Sequence, residues 1–247
     1  MDKSLLSSWY RALRGNALPI IVGIIAALSA YVFLEVADEV AEAEILGVDS
    51  GLLLSLRNPD DLADPIGPRW LEEMMRDFTA LGGIGVTTLV TAGAVAYLVM
   101  IGKRAMAAYV VVTVVGGVAL SLALKAGFDR PRPDLAPHGS HVYTQSFPSG
   151  HATTAAVVYL TLGAMLARIQ PLWRVKALIL TMAVALTVAV GFSRVYLAVH
   201  WPTDVVAGWA LGLAWALGVW LVAMGITRFT RHKHGSEMQK VADQMSS

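Results

Sequence analysis

The chain has 247 residues, 56% of them hydrophobic, with a mean hydropathy of +0.60 and only 15% charged. A water-soluble domain of this size carries about 25% charged residues, so the composition excludes an ordinary soluble globule and points to a multi-span membrane protein. A net charge of +1 gives no reason to expect a nucleic-acid partner, and the lack of cysteine excludes disulfides and thiolate metal sites.

Six apolar runs approach the roughly 20 residues that a helix needs to cross a bilayer. They lie at about Leu18 to Leu34, Leu81 to Gly102, Ala105 to Leu124, Ala152 to Leu166, Ala177 to Gly191 and Val205 to Ile226. The pattern predicts an all-α polytopic membrane protein, a six-transmembrane-helix bundle forming one domain over residues 1–230. A polar cytoplasmic tail follows over residues 231–247. The first run has a basic start, as a signal peptide does. It is longer than a usual h-region, however, and its cleavage pattern near Ser29 and Ala30 is poor, so it is expected to remain as a span.

Between the first two runs the chain turns acidic. Of 18 acidic residues, 12 lie between Glu35 and Asp77, against three arginines, Arg57, Arg69 and Arg76. The stretches "EVAEAEILGVDSGLLLSLR" and "PRWLEEMMRDFTAL" place apolar residues at helical spacing. They predict extracytoplasmic interfacial helices within residues 35–80, with Trp70 as an anchor; two surface helices over the bundle are the plainer alternative.

The basic residues sort by side. Lys3, Arg11 and Arg14 precede the first run, and Lys103 and Arg104 separate the second from the third. Arg168, Arg174 and Lys176 separate the fourth from the fifth, and Arg228, Arg231, Lys233 and Lys240 follow the sixth. The positive-inside rule then puts both termini in the cytoplasm of a cell-membrane protein. The acidic stretch, the loop from Lys125 to Ser149 and the turn holding His200 fall outside.

Those outside segments hold three polar clusters: "KAGFDRPRP" from Lys125, "FPSGH" from Phe147 and "SRVYLAVHWPTD" from Ser193. Topology brings all three to one membrane surface. Together they supply the cations Lys125, Arg132 and Arg194, the histidines His151 and His200, and Asp204. Three gathered cations repel one another unless an anion joins them, and a phosphate accepts the forked donors of arginine. Ser149 and Gly150 lead into a helix whose N-terminal amides would face that anion. Asp204 can fix the tautomer of His200 and leave its other nitrogen free to attack phosphorus, while His151 gives a proton to the leaving oxygen. Fixed cations then do the work of a metal, so no metal or other cofactor is required.

Read singly, each residue has a plainer account. Lys125 and Arg132 are interfacial anchors, "PSGH" is a turn with a helix cap, and His200 packs beside Trp201 and Pro202. Those accounts do not explain the shared side or the combined inventory. Arg130 and Asp134 read as a pair or as loop-shaping residues. His138, His141 and Tyr143 read as a solvated loop, and a zinc site from His138 and His141 lacks a partner at a recognisable spacing. His232 and His234 fall on the cytoplasmic tail.

The three clusters resemble the signature motifs of the type-2 phosphatidic-acid phosphatase superfamily. K-x6-R-P corresponds to Lys125, Arg132 and Pro133, and P-S-G-H to Pro148, Ser149, Gly150 and His151. S-R-x5-H-x3-D corresponds to Ser193, Arg194, His200 and Asp204. The motif-bearing core spans residues 125–204, and the size and layout are similar to bacterial lipid phosphatases of the phosphatidylglycerophosphatase B kind. The resemblance implies an extracytoplasmic site with His200 as nucleophile through a phosphohistidine, Asp204 as its partner and His151 as acid and base. Lys125, Arg132, Ser149, Gly150, His151 and Arg194 would hold the phosphate. It further implies a membrane lipid phosphate or diphosphate as substrate: phosphatidic acid, phosphatidylglycerol phosphate or undecaprenyl diphosphate. A lipid phosphotransferase or lipid A phosphatase with the same site is the alternative, followed by a non-catalytic transporter or scaffold.

Overall fold

The computed structural model describes residues 3–42, 46–134 and 145–245. Helix α1 covers Lys3–Ala41, α2 Leu46–Leu54, α3 Arg69–Leu81, α4 Ile84–Met100 and α5 Arg104–Lys125. The next span is built in three parts: α6 (Gly150–Ala155), one π-helical turn (Ala156–Leu160) and α7 (Thr161–Ile169). Helices α8 (Trp173–Tyr196) and α9 (Pro202–Met245) complete the bundle.

Among the described residues, five helices are long and apolar enough to cross a membrane. A sixth span exists if α3 and α4, bent by 49° at Gly82–Gly83, count as one. The second apolar run is carried by α4, and the bend falls at its start, where α3 ends. Large apolar side chains on the spans face outward: Leu28 is 59% exposed, Leu89 74% and Val222 63%. In water each would forfeit about 1.5–3 kcal/mol of burial, whereas a bilayer solvates them.

The acidic segment differs from its expected form in two ways. Helix α1 runs on through Glu35, Asp38 and Glu39, so these acids extend a span instead of starting an interfacial helix. A two-stranded antiparallel hairpin, β1 (Arg57–Asn58) with β2 (Asp61–Pro65), stands between α2 and α3. "RNPDDLADP" has no apolar alternation, which is why the pattern gave no strand signal. Arg57 on β1 is buried and donates to the carbonyl of Tyr196, the last residue of α8, where a cation suits the helix dipole.

Close helix contacts aim the polar end of the bundle. Gly208 and Gly212 lie four apart on α9, the spacing that lets helices meet in a membrane. A Cβ at Gly208 would stand 2.7 Å from the carbonyl oxygen of Ser149, and one at Gly212 would stand 2.7 Å from Cβ of Ala156. The start of α9 is thus pressed onto the start of α6. On the other flank of α9, Phe33 and Ala37 of α1 pack with Phe147, Ala207 and Leu211.

Candidate active site

One end of the bundle collects every motif residue. Lys125 is the last residue of α5, and Arg132 and Pro133 follow in the loop. Ser149 caps α6, with Gly150 and His151 in its first turn. Arg194 lies in the last turn of α8, His200 in the short link to α9, and Asp204 in the first turn of α9. The link is tight. Ala198 takes φ of 53°, a region that strains a residue with a Cβ. The amides of Val199 and His200 both turn back onto the carbonyl of Arg194, at 3.1 and 3.3 Å. The imidazole is thereby folded over the end of α8.

His200 is 2% exposed and its two nitrogens have different surroundings. Nδ1 lies 3.2 Å from Oδ2 of Asp204. Nε2 lies 3.0 Å from NH1 of Arg132. Arginine can only donate, so Nε2 must accept, and the ring proton sits on Nδ1 and is donated to Asp204. Burial pushes the His200 imidazole well below the ordinary histidine range. Asp204 opposes that shift, and the charges of Arg132 and Arg194 add to it. The ring is neutral at physiological pH, with a lone pair on Nε2.

Asp204 is fully buried and held on both oxygens. Oδ2 accepts from the amide of Trp201 at 2.9 Å and from Oγ of Ser146, beside Nδ1 of His200. Oδ1 accepts from NH1 of Arg130 at 2.6 Å. The carbonyl of Asp204 accepts from the amide of Ser149 at 2.9 Å, which ties the start of α9 to that of α6.

The cations close around this core. Arg132 also donates to the carbonyl of Val199 at 2.7 Å. Nζ of Lys125 donates to the carbonyl of Gln145 at 2.7 Å, and a Cβ added to Gly150 would stand 3.6 Å from Cε of Lys125. NH1 of Arg194 donates to Oγ1 of Thr79 on α3 at 2.7 Å, while its Nε is buried with no hydrogen-bond partner. The imidazole of His151 is carried by the first turn of α6. That ring faces the α3–α4 bend, where a Cβ at Gly83 would stand 3.9 Å from its Nε2. The structure therefore brings Lys125, Arg132, Ser149, Gly150, His151, Arg194, His200 and Asp204 into one cluster.

Several neighbours were not visible as site residues in the sequence. Thr79, Gln145, Ser146 and Asp49 all touch the cluster or its supports. Arg130 corrects an expectation: its partners are Asp204 and Asp49 instead of the sequence neighbour Asp134, because the loop folds its guanidinium inward to 6% exposure. His138, His141 and Tyr143 lie outside the described residues, so the zinc candidate does too. Among the described residues no group of three or more His, Asp or Glu is placed to hold a metal ion.

A family model described as the PAP2 superfamily matches residues 105–228, half of the chain and all three motifs. The chain belongs to the PAP2 superfamily. It is thereby classed with enzymes, in a family of lipid phosphatases and related hydrolases. Phosphatidylglycerophosphatase B of Bacillus subtilis (strain 168) is 36% identical over 150 residues, covering 58% of this chain and 71% of its own. The crystal structure of the transmembrane PAP2-type phosphatidylglycerolphosphate phosphatase from Bacillus subtilis matches at a TM-score of 0.67 and 30% identity. That match covers 83% of this chain and 98% of the other. Lipid A 1-phosphatase of Rhizobium johnstonii is 36% identical over 117 residues, 44% of this PAP2 chain and 43% of its own length.

Proposed function

We propose that the chain is an integral-membrane lipid phosphatase that cleaves a lipid phosphomonoester or diphosphate through a phosphohistidine on His200. The observation that carries this reading is the division of the His200 ring. Asp204 takes the proton on Nδ1, and Nε2 presents its lone pair beside the cation cluster. The orphaned Nε of Arg194 supports the same reading, because a buried donor left unpaired is costly and a phosphate oxygen would satisfy it.

The steps follow from the residues. Phosphate oxygens take the N–H groups of Arg132, Arg194 and Lys125 and the first amides of α6. The amides of Gly150 and His151 lack an acceptor within the helix, as first-turn amides do. Nε2 of His200 attacks phosphorus in line, a P–N bond forms, and the bond to the lipid oxygen breaks. His151 donates a proton to that oxygen. Water then attacks the phosphohistidine, His151 takes its proton, and inorganic phosphate leaves with Nε2 restored. Asp204 stabilises the charge on the ring in both steps. Three fixed cations stabilise the equatorial oxygens, so the scheme needs no metal.

Placing this site at the membrane surface suits a substrate whose tail stays in the bilayer. The charge asymmetry of the loops supports an extracytoplasmic site with both termini inside. The Bacillus relative supports phosphatidylglycerol phosphate as the first substrate to try, ahead of phosphatidic acid and undecaprenyl diphosphate. The test is a phosphate-release panel on purified protein with these lipids, run with excess chelator. Release from at least one lipid is expected, and His200→Ala should reduce it by about 10³-fold or more. Full activity in His200→Ala, or activity that vanishes with chelator and returns with a divalent ion, would overturn the scheme.

A further inference from the structure

The three motifs leave two charged residues of the cluster unassigned. Asp49 sits on α2, 0% exposed, and Arg130 sits in the loop after α5, 6% exposed. NH2 of Arg130 lies 2.5 Å from Oδ2 of Asp49, and NH1 lies 2.6 Å from Oδ1 of Asp204. One guanidinium thus bridges two buried carboxylates. Asp49 is fixed in turn by Thr203, whose amide donates to Oδ1 at 3.0 Å and whose Oγ1 lies 2.5 Å from Oδ2. We propose that Asp49 and Arg130 are positioning residues, a second buried ion pair that orients Asp204 and through it the attacking imidazole. This rests on the phosphohistidine reading above.

The physical need is specific. A carboxylate has a broad torsional preference about its last bond. If Oδ1 of Asp204 were loose, the two oxygens could exchange and Nδ1 of His200 would lose its fixed acceptor. Arg130 pins Oδ1, so Oδ2 stays with Ser146, the Trp201 amide and His200. Arg130 alone would also cancel the negative charge that the imidazole needs beside it. Asp49 shares the guanidinium and leaves Asp204 a strong acceptor. Water cannot replace either partner cheaply, because both carboxylates are fully buried.

The test compares Asp49→Asn with the parent enzyme for kcat, KM and vanadate inhibition on a lipid phosphate. A positioning role lowers kcat about 10- to 100-fold, as loss of an outer-shell partner does, with KM and vanadate inhibition within about twofold. In an Asp204→Asn background, Asp49→Asn should change the residual single-turnover rate less than about twofold, since its route of action is already cut. Arg130→Lys keeps one charge but cannot bridge both carboxylates, and it carries the same criteria if Asp49→Asn fails to assemble in the membrane. An unchanged kcat, a rise in KM in step with lost thermal stability, or a full additional loss in the Asp204→Asn background would overturn the inference. His200→Ala is run alongside. If it is inactive while Asp49→Asn is normal, only this inference fails; if it is fully active, the phosphohistidine reading fails with it.

Discussion

NH1 of Arg132 and Nε2 of His200 lie 3.0 Å apart, on the side of the ring away from Asp204. A donor on that nitrogen selects the tautomer with its lone pair on Nε2, and in the proposed reaction the same N–H groups turn to the phosphate and free Nε2 to attack. Lysine in its place keeps the charge but loses the planar guanidinium, whose NH1 reaches both Nε2 and the Val199 carbonyl. Arg132→Lys is expected to raise KM and lower kcat, each by about 10-fold (roughly one charge-assisted hydrogen bond). Steady-state phosphate release with a lipid substrate checks it, and an unchanged kcat would count against the tautomer role.

The guanidinium of Arg130 bridges two fully buried carboxylates, Asp49 and Asp204. Arg130→Ala leaves both without it. Breaking a buried pair in this way costs about 3–5 kcal/mol. A large drop in the thermal midpoint of the detergent-solubilised protein is expected. A midpoint within a degree or so of the parent would show that the pair contributes little.

His200 gives stability a definite pH dependence. Burial keeps the folded ring neutral, while in the unfolded chain it takes a proton near pH ~6.5. The unfolded state therefore binds more protons below that pH, and stability is present in full above it and falls as pH drops through it. Thermal melts between pH 5 and 8 should show the decline on the acid side, and His200→Gln should flatten it. A decline of equal size in both proteins would assign it to other groups.

Gly82 marks where α3 meets the site. A Cβ there would stand 2.4 Å from Cγ1 of Val190 and 3.3 Å from Cβ of His151. Val190 is fully buried and has little room to yield. Gly82→Ala is expected to push α3 off α8, at a cost of about 1–3 kcal/mol of overpacking. It should also weaken the Thr79–Arg194 hydrogen bond. Lowered kcat/KM together with a lowered thermal midpoint is the expected pair of results; wild-type values for both would show that the bend adjusts freely.

Much of the site was legible because its chemistry is local in sequence. His200 and Asp204 are four apart at the start of a helix, and Ser149 and His151 share one turn. The apolar runs gave the spans for the same reason, since a bilayer demands a continuous stretch. Asp49 was not legible: it looks like any acid on an amphipathic segment, and its partner Arg130 is 81 residues away. The break at Gly82–Gly83 was hidden because it falls where the amphipathic stretch ending at Leu81 meets the apolar run, and the two glycines read as the start of that run. The π-helical turn at Ala156–Leu160 was hidden too, because one inserted residue leaves composition unchanged. There Tyr159 reaches from that turn to the carbonyl of Leu81 at 2.7 Å and fastens the same break.

The grip of Thr79 on Arg194 and of Asp49 on Arg130 has a bearing on how small such a protein can be made. A fragment trimmed to residues 105–228 would retain every signature residue, yet it would lack both of those outside hands. Excision of the motif-bearing half should thus yield a polypeptide with the right alphabet and a slack reaction centre.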